Sequence, residues 1–204
     1  MKTLALFTAS TLFLLLAGCS TETPAPQPKA AEKPPEPVTG RFALQQMYIA
    51  ARGWAPDIQP LKLTNIPLAD VKPAPGKAGA WQAIFVSASQ GHARGYTYSV
   101  IESEGNLHKG VFAGSDQSYS PTGATKPFPF AAIKIDSDQA YETAMKKGAD
   151  YDKKNPGKPI TFLLEANDKF PDVSWRVIWG ESVGTSNFSI FVDASTGLYL
   201  ETMR

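Results

Sequence analysis

The chain of 204 residues carries 20 basic and 19 acidic side chains, two histidines and a single cysteine. So even a balance lacks the basic footprint that nucleic-acid binding needs, and no nucleic-acid partner is expected. One cysteine excludes an internal disulfide.

Met1 and Lys2 give the N-terminus a positive start, and Leu4 to Leu16 is an apolar stretch broken only by Thr8, Ser10 and Thr11. Crossing a bilayer takes about 20 consecutive apolar residues, so this stretch is too short and matches the apolar region of a secretory signal instead. It closes on Leu16-Ala17-Gly18-Cys19, where small residues give a signal peptidase access to extended backbone. The arrangement resembles a bacterial lipoprotein signal with its lipobox. The resemblance implies that residues 1–18 leave and that the Cys19 thiol is acylated as the new N-terminus. Acyl chains contribute ~0.8 kcal/mol per buried methylene, and stable attachment needs more than one chain. A diacylglyceryl group on Cys19 meets that condition, so the membrane is an expected partner through this anchor. Ser20, rather than an acidic residue, follows the cysteine, which by the same resemblance favours an outer membrane, facing the periplasm, in an envelope that has two. Loss of Lys2 with the signal leaves the mature chain with 19 basic and 19 acidic side chains, formally neutral.

Residues 19–40 read as a tether. Pro24, Pro26, Pro28, Pro34, Pro35 and Pro37 alternate with small and polar residues, and Val38 is the only large apolar side chain after Ser20. Such a segment buries too little apolar surface to fold, and its prolines extend it at about 3.1 Å per residue.

The folded part divides into residues 41–115 and 128–204, joined by a linker at 116–127. In the first half, Leu44, Met47, Tyr48 and Ala51 fall at helical spacing, and Gly53 and Pro56 end the helix. Strands are expected over Trp81–Ser87 and Tyr96–Glu102, with a turn at Gly105. In the second, Asp136 with Gln139 forms a capping-box pattern, and Tyr141, Ala144, Met145 and Gly148 repeat the helical spacing. Strands are expected over Ile160–Glu165, Trp175–Gly180, Asn187–Asp193 and Leu198–Glu201, with a turn at Gly197. Both halves thus offer helix, strand, tryptophan-led strand and hairpin in similar register. An α+β fold follows: two helix-plus-antiparallel-sheet halves, a degenerate internal repeat whose sheets pair or face each other.

Val173-Ser174-Trp175-Arg176-Val177-Ile178-Trp179, followed by Phe191-Val192-Asp193-Ala194-Ser195-Thr196-Gly197, resembles the C-terminal half of a PepSY-type domain. The resemblance runs from about Ile135 to the C-terminus and, in degraded form, over 41–111, where Glu102-Ser103-Glu104-Gly105 replaces the Asp-Ala-x-Thr-Gly turn. It implies a helix-on-sheet module without catalytic residues, acting in inhibition or binding, with Asp193 and Thr196 as turn formers.

Other patterns carry less. His92 and His108 sit beside expected turns, without the third and fourth ligands of a zinc site. The run from Asp150 to Gly157 looks like a calcium loop, but Lys154 falls on a ligand position and the glycine comes late; a helix end with a turn is the simpler reading. Gly180-Glu181-Ser182-Val183-Gly184 matches the nucleophile-elbow pattern, yet an elbow joins strand to helix, and here another strand follows. Lys126-Pro127-Phe128-Pro129-Phe130, held extended by its prolines, either packs between the halves or presents aromatics to a partner. No catalytic, cofactor-binding or metal-ligating residue is assigned, and Cys19 is the one modified site. The expected function is a non-catalytic envelope lipoprotein that binds a protein or peptide partner, with restraint of a peptidase as one form. A hydrolase or metal-dependent enzyme with an unrecognised site, and a passive structural lipoprotein, are the alternatives.

Overall fold

A computed structural model describes residues 34–105 and 107–204. Cys19, the expected signal and most of the expected tether lie outside the described residues, as does Asn106 of the expected Gly105 turn. Along the chain run β1 (Val38–Thr39), α1 (Gly40–Ala51), β2 (Gln59–Ile66), β3 (Lys77–Ala78), β4 (Ala80–Ser87), β5 (His92–Ser99), β6 (Gly110–Ser118) and β7 (Thr125–Lys126). There follow α2 (Ser137–Lys154), β8 (Ile160–Asn167), β9 (Ser174–Trp179), β10 (Ser189–Asp193) and β11 (Tyr199–Met203).

The architecture is α+β: two helices on one antiparallel sheet in the order β11-β10-β9-β8-β2-β4-β5-β6, with β7 added to β8 and a separate β1–β3 pair. Each half is a helix followed by a four-stranded meander, and the meanders join edge to edge where Leu63 of β2 faces Leu164 of β8. The sheets therefore pair rather than face each other. Several strands go beyond the sequence reading, β2, β6 and β7 among them. β2 carries Pro60 near its start, at a register shift against β4, where the missing N–H is tolerated. β6 runs to Ser118 and β7 also falls within residues 116–127, the stretch expected as a linker. The Tyr96–Glu102 strand is corrected to His92–Ser99, because the chain turns earlier, at Gly91 with φ 65°.

Every second residue of the meanders faces the helices. Leu63, Trp81, Ala83, Phe85, Phe162, Leu164, Trp175, Val177, Trp179, Ile190 and Val192 form that floor, each at most 4% exposed. α1 packs on β4 and β5, and α2 on β9 and β10. Trp81 and Trp175 meet edge to face at 6.5 Å between centroids. Gly40 lets α1 approach them, since a Cβ there would lie 2.7 Å from Trp175 and 3.0 Å from Trp81. Gly148 does the same for α2 over Trp179.

The repeat extends to hydrogen bonds. A buried indole N–H needs a partner, and in each half it finds the carbonyl two residues before the helix. Trp81 Nε1 donates to Val38 O at 3.1 Å, and Trp175 Nε1 donates to Ile135 O at 2.9 Å. The two helix N-termini also meet. Asp136 Oδ1 accepts from Ser137 N of α2 at 2.7 Å and from Arg41 N of α1 at 2.8 Å. Ser137 Oγ accepts from Gly40 N at 2.7 Å and donates to Gly76 O at 2.6 Å. One cap thus serves both helices.

Candidate functional site

The sheet ends in two edges. β11 is shorter, and two of its side chains are held: Lys169 pairs with Glu201 at 2.6 Å, and Lys147 Nζ stands 5.1 Å from the centroid of the Tyr199 ring, while Leu200 is exposed. β6 is longer, pairs with β5 on one side only and is mostly exposed. It contains neither lysine nor proline, the usual guards of an open edge, and its single charge, Asp116, is already engaged. Asp116 accepts from Arg94 Nε and, at 3.3 Å, from Trp54 Nε1, while Arg94 lies 5.1 Å over the Trp54 ring. The Arg94 bond is the main cause holding the Asp116 carboxyl below its usual range. On the opposite face of the same strand Phe112 is 39% exposed, with the His108 ring 4.8 Å away. The edge therefore offers a row of backbone groups, an apolar side chain and no net charge.

The expected candidates fall around this strand or away from it. His92 begins β5 beside Ser118, at the far end of β6, 3.8 Å from Asp116. His108 precedes the other end and bonds Glu102 Oε1 at 2.6 Å. The Lys109 backbone N–H and then His108 hold the Glu102 carboxyl down. The length of β6 thus separates the two histidines.

In the second half, α2 runs to Lys154 and Gly157 turns with φ 79°, so Asp150 to Gly157 is a helix end. Asp152 Oδ1 accepts from Trp179 Nε1 at 2.9 Å. Ser182 lies in the β9–β10 loop, its hydroxyl 2.9 Å from that of Thr185. Asp193 Oδ1 accepts from Ser195 N and Thr196 N, both at 2.8 Å, and Gly197 turns with φ 77°. Phe128 is 3% exposed and Phe130 stacks on Tyr48 at 5.0 Å, so Lys126 to Phe130 packs.

A cleft of about 420 Å³ opens between the loop after β2, Tyr141 of α2 and the start of β8, within the roughly 300–1,000 Å³ of small-ligand sites. Its walls include Ile66, Leu68, Val71, Ile160 and Phe162. Burial, and secondarily Asp152, raises the Tyr141 hydroxyl's pKa. Sequence reasoning found neither the β6 edge nor this cleft. Phe112 has a glycine two residues away on each side, Gly110 and Gly114, which left β6 without a clear alternation, and the cleft joins residues from three distant segments.

No family model matches the chain, and no curated protein matches it. The crystal structure of a candidate lipoprotein from Clostridium difficile 630 shares the fold, with TM-score 0.53 over 80% of this chain and 93% of that one, at 10% identity. The likeness is one of fold. No helix among the described residues is long and apolar enough to cross a membrane.

Proposed function

We propose that the chain is a non-catalytic lipoprotein of the bacterial cell envelope, anchored through acylated Cys19 and displaying a binding module beyond its proline-rich tether. Where the envelope has two membranes, the anchor lies in the outer one and the module faces the periplasm. The module binds an extended segment of a partner protein by adding it as a strand at β6. The observation that carries this reading is the unguarded outer edge of β6, Gly110–Ser118, at one end of the sheet. Main-chain bonds along the strand give affinity, and Phe112 supplies an apolar contact. The PepSY resemblance of the second half extends the reading to restraint of an envelope peptidase.

A photo-crosslinking residue at Ser115, compared with one at exposed Glu142 on α2, tests it in intact cells. A defined adduct at Ser115 that disappears when Ala113→Lys and Gln117→Lys are added supports strand addition. No adduct above the Glu142 control overturns it. Cys19→Ser tests the anchor separately: the protein should leave the membrane fraction or accumulate unprocessed, and unchanged fractionation would sink the lipidation claim.

A further inference from the structure

At the middle of the sheet, β2 and β8 face each other only over Lys62–Thr64 and Leu163–Glu165. They part at both ends, and the two gaps are treated differently. Where β2 begins, an extended segment of the chain wedges in. Thr125 and Lys126 pair with Asn167 and Ala166 of β8, and Phe128 N donates to Pro60 O of β2 at 3.0 Å. Pro127 and Pro129 flank Phe128 and keep the segment extended. Its cation, Lys126, stands 3.5 Å from Asp168 just beyond β8.

At the other end, side chains hold the strands apart. Thr64 Oγ1 donates to Phe162 O at 2.9 Å, and Phe162 N donates to Asn65 Oδ1 at 2.7 Å. Both backbone groups of Phe162 are thereby bonded without β2's main chain, and beyond them lies the apolar cleft. Lys77 and Lys158 line it with no acidic side chain among its described lining residues, and the Lys158 ammonium donates to the Tyr151 hydroxyl at 2.8 Å. The cations lining this gap, Lys77 and Lys158, carry the sign opposite to Asp168 at the filled one, with Asp152 acting on Tyr141 from the α2 side.

We infer that the cleft is a second peptide site, which takes an extended, proline-flanked aromatic segment of a partner protein with an acidic flank. The chain's own Thr125-to-Phe130 segment shows what fills a gap between these two strands. The reversed charge at the open gap calls for an acid where that segment carries Lys126. Tyr141 and the Asn65 amide offer polar contacts to the peptide backbone, and flanking prolines lower the cost of ordering it. This site is separate from the β6 edge, so either reading can fail alone.

The probe is the blocked peptide acetyl-Thr-Glu-Pro-Phe-Pro-Phe-amide, titrated into ¹⁵N-labelled full chain carrying Cys19→Ser. Saturable amide shifts are expected at Asn65, Ile66, Gly79 and Ile160. Affinity should fall about tenfold when the first phenylalanine of the peptide becomes alanine, and severalfold when its glutamate becomes lysine. Leu68→Asp in the cleft wall should also cost about tenfold. Ala74→Glu, a milder change in the same lining, serves if that variant folds poorly. No shifts at millimolar peptide would overturn the inference. So would shifts confined to Gly110–Ser118, or shifts at Tyr48 and Leu61 that mark displacement of the chain's own segment. Saturation of the cleft by laurate but not by the peptide would overturn it as well.

Discussion

The two halves share one plan but not one degree of self-sufficiency. α2 has 18 residues, a capping box from Asp136 and Gln139, Asp138 in its first turn and Lys153 and Lys154 in its last. Each of these complements the helix ends or the macrodipole. α1 has 12 residues, no acid in its first turn, no base in its last, and an N-cap residue, Thr39, whose side chain makes no capping bond. Its first N–H groups are met by Ser137 and Asp136 of the other half. The difference teaches that a repeat can divide labour: one copy carries local helix signals, and the other borrows its cap through tertiary contact. The first half is thus built to fold against the second.

The largest effects should come from the shared tryptophan core. Trp81→Ala and Trp175→Ala each remove a fully buried indole and should cost about 3–5 kcal/mol. Urea unfolding followed by far-ultraviolet circular dichroism and by fluorescence of the remaining tryptophans should give one coincident transition for both variants. Separated transitions after Trp175→Ala, with the second half melting first, would break the comparison, because the first half would then stand without the caps it borrows. Gly40→Val should destabilise by about 1–3 kcal/mol through overpacking, since its Cβ would press on the Trp175 ring at 2.7 Å.

Next come the caps. Asp136→Ala removes the acceptor of both Ser137 N and Arg41 N and should cost roughly twice a single cap, about 2 kcal/mol. Thr39→Ala should stay within about 0.5 kcal/mol, although Thr39 is the residue that formally precedes α1. Asp136→Asn keeps a side-chain oxygen and should recover much of the loss. Equal costs for Thr39→Ala and Asp136→Ala in chemical denaturation would show that α1 caps itself after all.

What was legible in the sequence follows the same division. Asp136 with Gln139 announced α2 because a capping box is local, contained within four residues. Trp175 to Gly180 and Asn187 to Asp193 read as strands because apolar runs with turn glycines at Gly180 and Gly197 are local too. The second use of Asp136, on Arg41 N, spans 95 residues and leaves no periodic trace. β2 was hidden by Pro60 and a register shift, and β6 by Gly110 and Gly114, which pack no side chain. The β6 edge and the cleft are both made by where strands stop pairing, and a linear pattern does not record that.

Acid should act chiefly on the first half's hairpins. Asp57 accepts from Ser87 Oγ at 2.6 Å and from Ser89 N at 2.9 Å, anchoring the β4–β5 turn, and these bonds lower its pKa from 3.8 to about 2. Glu102 and Asp116 are also held below their usual values, chiefly by Lys109 N and by Arg94 respectively. A depressed carboxyl stabilises fully above its unfolded pKa and loses that contribution as pH falls through the folded value. For Asp57 the window is therefore from about pH 4 down to about 2. Amide exchange in the β4–β5 and β5–β6 hairpins should quicken over that range before it does in β8–β10. Asp57→Asn should flatten the Asp57 part of the pH dependence, and an unaltered acid limb would refute its role.

The smallest expected effect concerns Ser182, the one residue of the second half whose sequence pattern suggested catalysis. Its hydroxyl serves the β9–β10 loop, bonding Thr185 Oγ1 at 2.9 Å and accepting from Thr185 N at 3.3 Å. The histidines stand on or beside the β5–β6 hairpin of the other half, one against Asp116 and one against Glu102. Ser182→Ala should then shift stability by no more than about 0.5 kcal/mol and leave Ser115 crosslinking unchanged. A fluorophosphonate probe that labels the parent chain at Ser182, and fails to label Ser182→Ala, would reverse this. It would mean that the second half carries a nucleophile, and the halves would then differ in chemistry as well as in how they cap their helices.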